Sequence, residues 1–496
     1  MSESGSLIGP IGILFMGVYL LSLVILGWLG RQSQQENTLS DFYLGGRQLG
    51  FLVLFLTLYA TQYSGNTLIG FSGSGYREGF RFLVSFTFMA GVIGGVMIYA
   101  PKLQRLSKKY AFITPADFVQ HRFGLPRLSK MVSALSIIAL ANYILSNLMA
   151  MGLLVETATG GKVSFAAGVV LLSIVMVIYE TLGGMRSVAW SDMLQGGILL
   201  VGCAIIFTVV MVHYGGTMAV AEYFASERPS VWHSPTWEQK RTWASTLLLV
   251  FFGIPLYPHM VQRVYAAKDA KVLKRSLQWM AVMPFVTTLL MVLVGIVGNV
   301  RFPGLEKQAS ERIILFLLQD LGGAIPSLKA LLVVFVAAAV AAIMSTVDSA
   351  LLSISSMFTQ DFYRGGGAAV RTEAHLTRVG KIASWTVMGL MTGVALLVPS
   401  TIWALVQIKL ELLCQIAPAV FLGLHSRLVG GKEVWVGLCV GVAIAAFLTL
   451  GAKFGLGVEA KPWGVHSGIW GLIGNLGCVA FGYGRRKRVL KRWRVT

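Results

Sequence analysis

A group of polar side chains interrupts an otherwise apolar run between Ile343 and Ser356. Ser345, Thr346 and Asp348 are near neighbours in this run, and further serines follow them. Polar and ionisable groups are costly inside a membrane-class segment, and they are by default candidates for a functional site. Hydroxyl and carbonyl oxygens are hard, uncharged ligands that suit a small hard cation, so the run predicts an alkali-cation site.

Helical geometry places several of these hydroxyls together. At about 100° per residue, Ser345, Ser349 and Ser356 share one stripe, with Thr346 and Asp348 on its flanks. The upstream stretch VAAAVAAIM is rich in alanine, which allows another helix to approach closely. In a second interpretation, each hydroxyl bonds back to a carbonyl of its own helix. The acid within the cluster favours the ion site.

Two other apolar segments contain residues that break helices. The second span, LTLYATQYSGNTLIGFSGSGYREG, has Gln62, Ser64 and Asn66 near its middle, among glycines. The seventh, LLLVFFGIPLYPHMVQR, has Pro255 and Pro258 at its centre, and proline removes a backbone donor and clashes with the preceding turn. Because non-helical backbone at membrane depth is tolerated where it lines a cavity or packs on protein, both breaks are candidates for a binding site.

The elements that carry these residues are those of an all-α polytopic membrane protein. Of 496 residues, 55% are hydrophobic and 12% are charged, whereas soluble domains carry about 25% charged residues. A β-barrel would show short alternating segments, and an enzyme would be indicated by a phosphate-cradling glycine loop or a nucleophile triad; the sequence has neither pattern. Runs long enough to cross a bilayer as helices predict thirteen spans, near 10–30, 50–75, 82–101, 130–156, 163–182, 188–213, 242–262, 276–299, 328–360, 379–398, 400–424, 434–451 and 466–483.

The charge distribution predicts the orientation of these spans. The 41 basic residues exceed the 21 acidic ones and give a net charge of +20, which favours the positive-inside rule over a nucleic-acid partner. The basic loops fall on one side, predicted to be the cytoplasm, with the N-terminus outside. The tail, GRRKRVLKRWRVT, should lie against anionic lipid on that side. The loop residues used here are Lys102, Arg105, Lys108, Lys109, Arg122, Arg127, Arg263, Lys268, Lys271, Lys274, Arg275, Arg364, Arg371 and Arg378.

The spacing of the two broken spans predicts an internal repeat. They lie five spans apart, so they become the first and sixth helices of a ten-helix core if the first span is a prefix. Two five-helix repeats of inverted topology give this arrangement, although two ordinary kinked helices would also give it. The predicted units are a prefix helix at 1–31, the core at 32–425, two additional helices at 426–484 and a basic tail at 485–496.

Several longer stretches carry a family resemblance. They are DFYLGGRQLG at 41–50, TLGGMRSVAWSDMLQG at 181–196, PHMVQRVYAAKD at 258–269 and AAIMSTVDSALLSISSMFTQDFY at 341–363, together with the second span. The chain thereby resembles the sodium:solute symporter family, which includes bacterial proline and pantothenate carriers and sodium–glucose transporters. The resemblance covers residues 10 to 425 and implies a LeuT-like fold with ten core helices. The thirteen spans match the bacterial branch, which implies a multi-pass protein of the bacterial inner membrane.

The resemblance implies a main sodium site. In the family, two carbonyls of the first core helix and a carbonyl plus two hydroxyls of the eighth bind the ion. The matching positions here are Ala60 and Tyr63, then Ala342, Ser345 and Thr346. Both hydroxyls are present, so Na+ is the expected coupling ion.

Some members of the family hold a second sodium ion, using an acid on the fifth core helix. Asp192 matches that acid, and its partners on the eighth helix would be Ser345, Asp348 and Ser349. The chain departs from the pattern because Asp348 stands where a serine is usual. Two neighbouring carboxylates repel each other, so Asp348 could bind a proton instead of, or together with, a cation. Alternatively, Asp348 pairs with a basic loop residue.

Substrate is expected at the helix breaks near the midplane of the membrane. Proline carriers have an acid at the position of Gln62 and aromatics near Val250 and Ile254, and these departures put proline in doubt. The second span is more similar to that of the pantothenate and monocarboxylate carriers. The candidate substrate-binding residues are Gln62, Ser64 and Asn66 of the second span, Phe252, Ile254 and Tyr257 of the seventh, and Tyr143 and Asn147 of the fourth.

A lysine in the eleventh span is a further candidate. Lys409 lies about halfway along IWALVQIKLELLCQIAPAV, where a charge is costly, and it could neutralise a substrate carboxylate. Glu411 is two residues away, so the two side chains do not face each other on a helix. In the alternative interpretation, each of them pairs with another helix.

These observations together predict a secondary transporter. The resemblance implies that inward Na+ flow drives uptake of a small organic solute (an organic acid, a vitamin or an amino acid) by alternating access. One alternative is a proton-coupled symporter of the same fold, acting through Asp348 or Lys409. Another is a transporter-like solute sensor; some members of the family are fused to signalling domains, and the end of this chain soon after its last helix counts against that alternative.

Overall fold

The computed structural model of the protein describes residues 8–63, 69–227, 234–325, 328–364, 371–397 and 408–493. These residues form helices throughout, apart from one isolated bridge between Leu49 and Ala267. Helices suit a bilayer because each satisfies its own backbone hydrogen bonds. All thirteen predicted spans overlap a helix.

The first part of the chain forms a prefix helix and then a broken span. Within the second span, α3 ends at Gln62 and α4 begins at Phe71, and residues 64–68 between them lie outside the described residues. The helices in this part are α1 (Pro10–Gln32), α2 (Leu39–Leu44), α3 (Phe51–Gln62), α4 (Phe71–Glu78), α5 (Ser85–Tyr110), α6 (Pro115–Phe123), α7 (Pro126–Ala158), α8 (Phe165–Gly183) and α9 (Met185–His213).

The middle of the chain contains the second break. α11 ends at Gly253, and the chain bends by 53° before α12 because Pro255 and Pro258 interrupt the backbone hydrogen bonds. The helices here are α10 (Gly216–Glu227), α11 (Trp237–Gly253), α12 (Pro258–Ala266), α13 (Ala270–Met280), α14 (Leu289–Arg301), α15 (Lys307–Ser310), α16 (Ile313–Ala324) and α17 (Lys329–Met357).

The last part of the chain contains the end of the predicted core and the helices that follow it. α22 continues into the predicted basic tail. Nine helical stretches of the described residues are long and apolar enough to cross a membrane, and the bent pair α11–α12 makes a tenth. The helices are α18 (Glu373–Leu397), α19 (Ile408–Leu413), α20 (Gly423–His425), α21 (Gly431–Lys453) and α22 (Ser467–Trp493).

The centre of the molecule is α17, whose residues from Phe335 to Met357 are all buried. A helix that is apolar on every side is typically enclosed by other helices, and α17 packs against α3, α7, α8 and α9. Its alanines permit close approach: a Cβ placed on Gly202 of α9 would lie 3.5 Å from the Cβ of Ala338. The polar residues of α17 are therefore held in a protein interior.

Candidate ion and substrate site

The end of α3 meets the polar middle of α17. The Ser345 hydroxyl lies within hydrogen-bond distance of two carbonyl oxygens, those of Ala60 at 3.2 Å and Ala342 at 3.0 Å. The Thr346 hydroxyl donates to the Ala342 carbonyl at 3.0 Å. All four residues are at most 1% exposed. We call them the hydroxyl cluster.

The backbone at Tyr63 leaves the helix beside this cluster. Tyr63 is extended, with φ −102° and ψ 92°, although its N–H still bonds to the Tyr59 carbonyl. With these angles the Tyr63 carbonyl no longer points along the axis of α3. The structure therefore brings together four of the five predicted sodium ligands, and the fifth, Tyr63, directly follows the last residue of α3.

The oxygens of the hydroxyl cluster are uncharged. The single hydrogen of the Ser345 hydroxyl can be given to one of its two carbonyls at a time, so the oxygens that meet here exceed the hydrogens available to them. A monovalent cation satisfies such an excess, whereas Ca2+ sites add carboxylates. In the described part of the chain, no group of three or more His, Cys, Asp or Glu side chains could hold a metal ion.

One turn further along α17, the polar groups include charged side chains, because the Arg263 guanidinium is buried there. The Arg263 guanidinium donates to the carboxylate of Asp192 at 2.6 Å and to the Ser349 hydroxyl at 2.6 Å. It also donates to the Thr57 hydroxyl at 2.8 Å, and that hydroxyl donates to the same carboxylate oxygen of Asp192. We call Thr57, Asp192, Arg263, Asp348 and Ser349 the charged cluster.

The position of Arg263 corrects one inference from the sequence. Counting lysines and arginines placed Arg263 in a cytoplasmic loop, but it lies on α12 and is 1% exposed. Its fourth hydrogen bond, to the His259 carbonyl at 3.0 Å, returns to its own helix. The guanidinium thus lies between two groups, Asp192 and Ser349, that the family resemblance assigned to a second sodium ion.

Asp348 belongs to the same cluster but takes its hydrogen bond from another helix. The Tyr179 hydroxyl on α8 donates to Asp348 at 2.5 Å, and the Ser349 hydroxyl lies 3.3 Å from its other oxygen. That hydroxyl donates at the shorter distance of 2.6 Å to the Ser345 carbonyl. Among the described residues, no lysine or arginine forms an ion pair with Asp348.

A stack of aromatic rings lies beside the second helix break. The rings of Tyr143 and Tyr257 stack with centroids 5.4 Å apart and planes 10° from parallel. The His259 ring stacks on Tyr257 at 5.0 Å. The ammonium of Lys409 lies 4.1 Å from the centroid of Tyr143. Three residues predicted from the sequence to bind substrate therefore meet here, one on α7, one on α19 and one in the break between α11 and α12.

The remaining substrate candidates are more dispersed. Gln62 reaches the sulfur of Met89 at 3.5 Å, and Asn147 donates to the Tyr143 carbonyl of its own helix at 2.8 Å. Phe252 packs edge-on against Phe421 at 5.7 Å, and Ile254 follows the last residue of α11. Ser64 and Asn66 lie outside the residues that the structure describes.

Glu411 has a different recorded contact from that of Lys409. Its carboxylate lies 3.7 Å from the ring of His466, at the start of α22. Lys409 and Glu411 therefore have different neighbours, as expected for residues two positions apart on a helix.

Sequence reasoning did not assign Thr57, Tyr179 or Arg263 to a site, although all three shape the charged cluster. One signal for Arg263 was available. It follows the proline break by five residues within PHMVQRVYA, where apolar residues surround it on both sides. A helix that continues after such a break can carry an arginine into the interior. The tyrosine hydroxyl of Tyr179 gave no comparable signal, because its partner lies 169 positions away.

Comparison with known proteins gives a consistent picture at the level of the sequence. A model of the sodium:solute symporter family matches residues 42–441. The osmoregulated proline transporter OpuE of Bacillus subtilis (strain 168) is 27% identical over 474 residues, which cover 93% of this chain and 94% of that protein. A sodium/proline symporter of Staphylococcus aureus (strain JH9) is 27% identical over 383 residues, which cover 75% of this chain and 72% of that protein.

Solved structures are similar over nearly the whole chain. A Na+-coupled sialic acid symporter in a substrate-bound outward-open state has a TM-score of 0.79 at 19% identity, covering 97% of this chain and 98% of that one. A nucleobase-cation-symport-1 family transporter has a TM-score of 0.52 at 12% identity, covering 90% and 95%. These likenesses confirm the predicted LeuT-like fold.

Proposed function

The chain belongs to the sodium:solute symporter family, and on the premise that it is a Na+-coupled symporter we propose that its coupling ion binds at the hydroxyl cluster. The ligands are the carbonyls of Ala60, Tyr63 and Ala342 and the hydroxyls of Ser345 and Thr346. The observation that carries this assignment is the Ser345 hydroxyl, which lies between a carbonyl of α3 and one of α17.

Such a site can couple the ion to the solute. α3 ends at Gln62, beside the ion ligands, and α17 is fixed in the protein interior. An ion that contacts both helices favours the conformation in which they are close. If solute binds at the unwound end of α3, the ion raises the affinity for solute, and solute raises the affinity for the ion by the same factor.

The second cation position, in this proposal, is filled by the protein itself. Arg263 contacts Asp192 and Ser349, which are two of the ligands that a second Na+ would use. A guanidinium there supplies the positive charge permanently. One Na+ per cycle follows from this arrangement.

Proton coupling is a second candidate function, favoured by Asp348. Its side-chain hydrogen bonds to other side chains, among the described residues, are those with the hydroxyls of Tyr179 and Ser349. A buried carboxyl without a cation is costly in its charged form, so Asp348 can hold a proton. A proton released from Asp348 during the cycle would make uptake depend on the pH gradient as well as on Na+.

The solute in this proposal is a small organic molecule held between the break after α3 and the ring stack beside α11. Uptake runs inward, with the N-terminus outside and the C-terminus in the cytoplasm. The basic tail lies against anionic lipid of the inner leaflet. Two of the relatives are named as proline transporters, but the neutral Gln62 replaces the acid that the proline carriers have.

Binding of 22Na+ to the purified protein tests the ion site without knowledge of the solute. We expect the wild type to bind about one Na+ and to gain thermal stability in NaCl relative to choline chloride, because a ligand of the native state stabilises it. Ser345→Ala with Thr346→Ala should weaken Na+ binding at least tenfold and remove this gain. A double variant that elutes as a folded monodisperse protein and binds Na+ like the wild type would overturn the assignment.

Proteoliposomes then separate the two coupling modes. Under a Na+ gradient at equal pH, solute should accumulate; under a pH gradient without Na+, it should not. Accumulation driven by the pH gradient alone would favour proton coupling through Asp348.

A further inference from the structure

The charge and shape of the ring stack indicate the class of solute. Lys409 is half-buried, and its ammonium lies over the face of Tyr143. Within the part of the chain that the structure describes, this ammonium has no carboxylate within ion-pair distance. A cation inside a membrane protein without a counter-ion is costly, and an anionic ligand removes that cost.

The other charged groups nearby have neighbours of their own. The Glu411 carboxylate lies 3.7 Å from the ring of His466 and forms no ion pair with Lys409 among the described residues. Arg263 reaches the carbonyl of His259, but its guanidinium is paired with Asp192. Lys409 is therefore the charged group that directly contacts the ring stack.

The aromatic side of the site is built on fixed elements. Tyr143 and Tyr257 are 8% and 5% exposed, and they stack almost in parallel. His259 is 1% exposed, and its Nδ1 has no hydrogen-bond partner in the described residues. α11 approaches α19 closely here, since a Cβ added to Gly253 would meet Leu410 at 3.4 Å. The site thus joins a flat apolar surface to one ammonium and one unpaired ring nitrogen.

We propose that the transported solute is a small monocarboxylate anion whose carboxylate pairs with the Lys409 ammonium while its apolar part lies against Tyr143 and Tyr257. The contact of an ammonium with an aromatic ring contributes less than a charge-assisted hydrogen bond to a carboxylate. The ligand can therefore replace the ring as the neighbour of the ammonium.

The same site disfavours a zwitterionic amino acid. Recognition of a protonated amine needs a carboxylate or several carbonyls nearby. Gln62, where the proline carriers have an acid, is neutral, and the Glu411 carboxylate lies 3.7 Å from the ring of His466. This inference rests on the proposed function, since it concerns the solute of the same Na+-coupled cycle.

Thermal stability of the detergent-purified protein in NaCl tests the solute class with matched compounds. The anions are acetate, propionate, pyruvate and L-lactate, the neutral control is propionamide, and the zwitterions are L-alanine and L-proline. We expect stabilisation by one or more of the anions, at concentrations at which propionamide and both zwitterions have no effect. Na+ should strengthen the response to the anion.

Two variants assign the effect to the ammonium. Lys409→Met should weaken the binding of the anion at least tenfold and leave the stabilisation by Na+ alone intact, which also shows that the variant is folded. Lys409→Arg keeps the positive charge and should retain most of the response.

The outcomes separate this inference from the proposed function. A protein stabilised by Na+ but by none of the four anions, or stabilised by L-alanine, L-proline or propionamide instead, would overturn the inference alone. An anion response that survives in Lys409→Met would do the same. Failure of Na+ to stabilise the wild type would contradict the proposed ion site, whichever solute binds.

Discussion

Two polar clusters lie one helical turn apart on α17, and their polar groups are stabilised in the protein interior in different ways. The hydroxyl cluster, with Ser345 and Thr346, consists of neutral oxygens. The charged cluster holds two carboxylates, Asp192 and Asp348, and neutralises one of them with Arg263. Both are buried, so the difference lies in where the positive charge comes from.

This difference in the source of positive charge indicates which cluster can bind and release an ion. Without a cation, the neutral oxygens carry only a modest penalty, because burying an uncharged polar group costs much less than burying a charge. Burying an isolated carboxylate in the interior costs about several kcal/mol of free energy, because the charge loses its hydration. Asp192 therefore requires its cation at every stage of the cycle, and a tethered guanidinium provides one. The hydroxyl cluster can therefore bind and release its cation, whereas the charged cluster keeps its positive charge throughout the cycle.

Replacing Arg263 should give the largest effect. Arg263→Met leaves Asp192 buried without its partner, and the expected loss of stability is about 3–5 kcal/mol. Fluorescence-detected size exclusion after a temperature series measures this loss. If the guanidinium takes the place of an ion, NaCl should stabilise the variant more than it stabilises the wild type.

The control for this prediction is Arg263→Met combined with Asp192→Asn. Removal of both charges should recover part of the stability, since no unpaired charge is left. It should also abolish the extra response to NaCl. Equal stabilisation by NaCl in the wild type and in Arg263→Met would contradict the idea that the guanidinium replaces a sodium ion.

A smaller effect is expected for Thr57, which connects the charged cluster to α3. Thr57→Val removes the donor to Asp192 and the acceptor for Arg263, and the expected cost is about 1–3 kcal/mol. Thr61→Val is the matched control: it is also buried on α3, but its hydroxyl donates only to the Thr57 carbonyl of its own helix. Equal losses of thermal stability in the two variants would show that the contact between helices contributes nothing.

The two clusters also differ in how far the sequence predicted them. Hydroxyls within an apolar run, glycines and polar residues within one span and prolines within another are local features, and the predictions of the hydroxyl cluster and of both helix breaks were built from them. The chain bends by 53° at the proline break. Arg263 was missed because a basic residue near a predicted helix end satisfies the positive-inside rule. Only the 53° bend and the packing of α12 show that it points into the protein.

The ring stack illustrates the same limit. Tyr143, Tyr257 and Lys409 were each selected from the sequence, two by resemblance and position and one by the cost of a buried charge. Their mutual contact requires α7, α19 and the break between α11 and α12 to meet in space, and 266 positions separate Tyr143 from Lys409. Periodicity within a helix carries no information about such distant pairs.

The smallest effect is expected for Asp348, and it tests whether the two clusters act independently. Asp348→Asn keeps an amide oxygen that can accept the hydrogen bond from Tyr179, so the expected loss of stability is about 1 kcal/mol. The Ser349 hydroxyl, which donates to the Ser345 carbonyl at 2.6 Å, is the one recorded polar link from the charged cluster to the hydroxyl cluster in the described residues.

This link does not involve the carboxylate of Asp348, so the affinity for Na+ should change by less than about twofold in Asp348→Asn, a difference well below 1 kcal/mol. The 22Na+ titration at several pH values measures it. With Asp348 as a structural group, the wild type and the variant have the same dependence on pH. If Asp348 exchanges a proton with each Na+, the dependence seen in the wild type disappears in the variant, because an amide does not titrate. In that case the charged cluster takes part in transport, and the division between an exchanging and a permanent cluster fails at this residue.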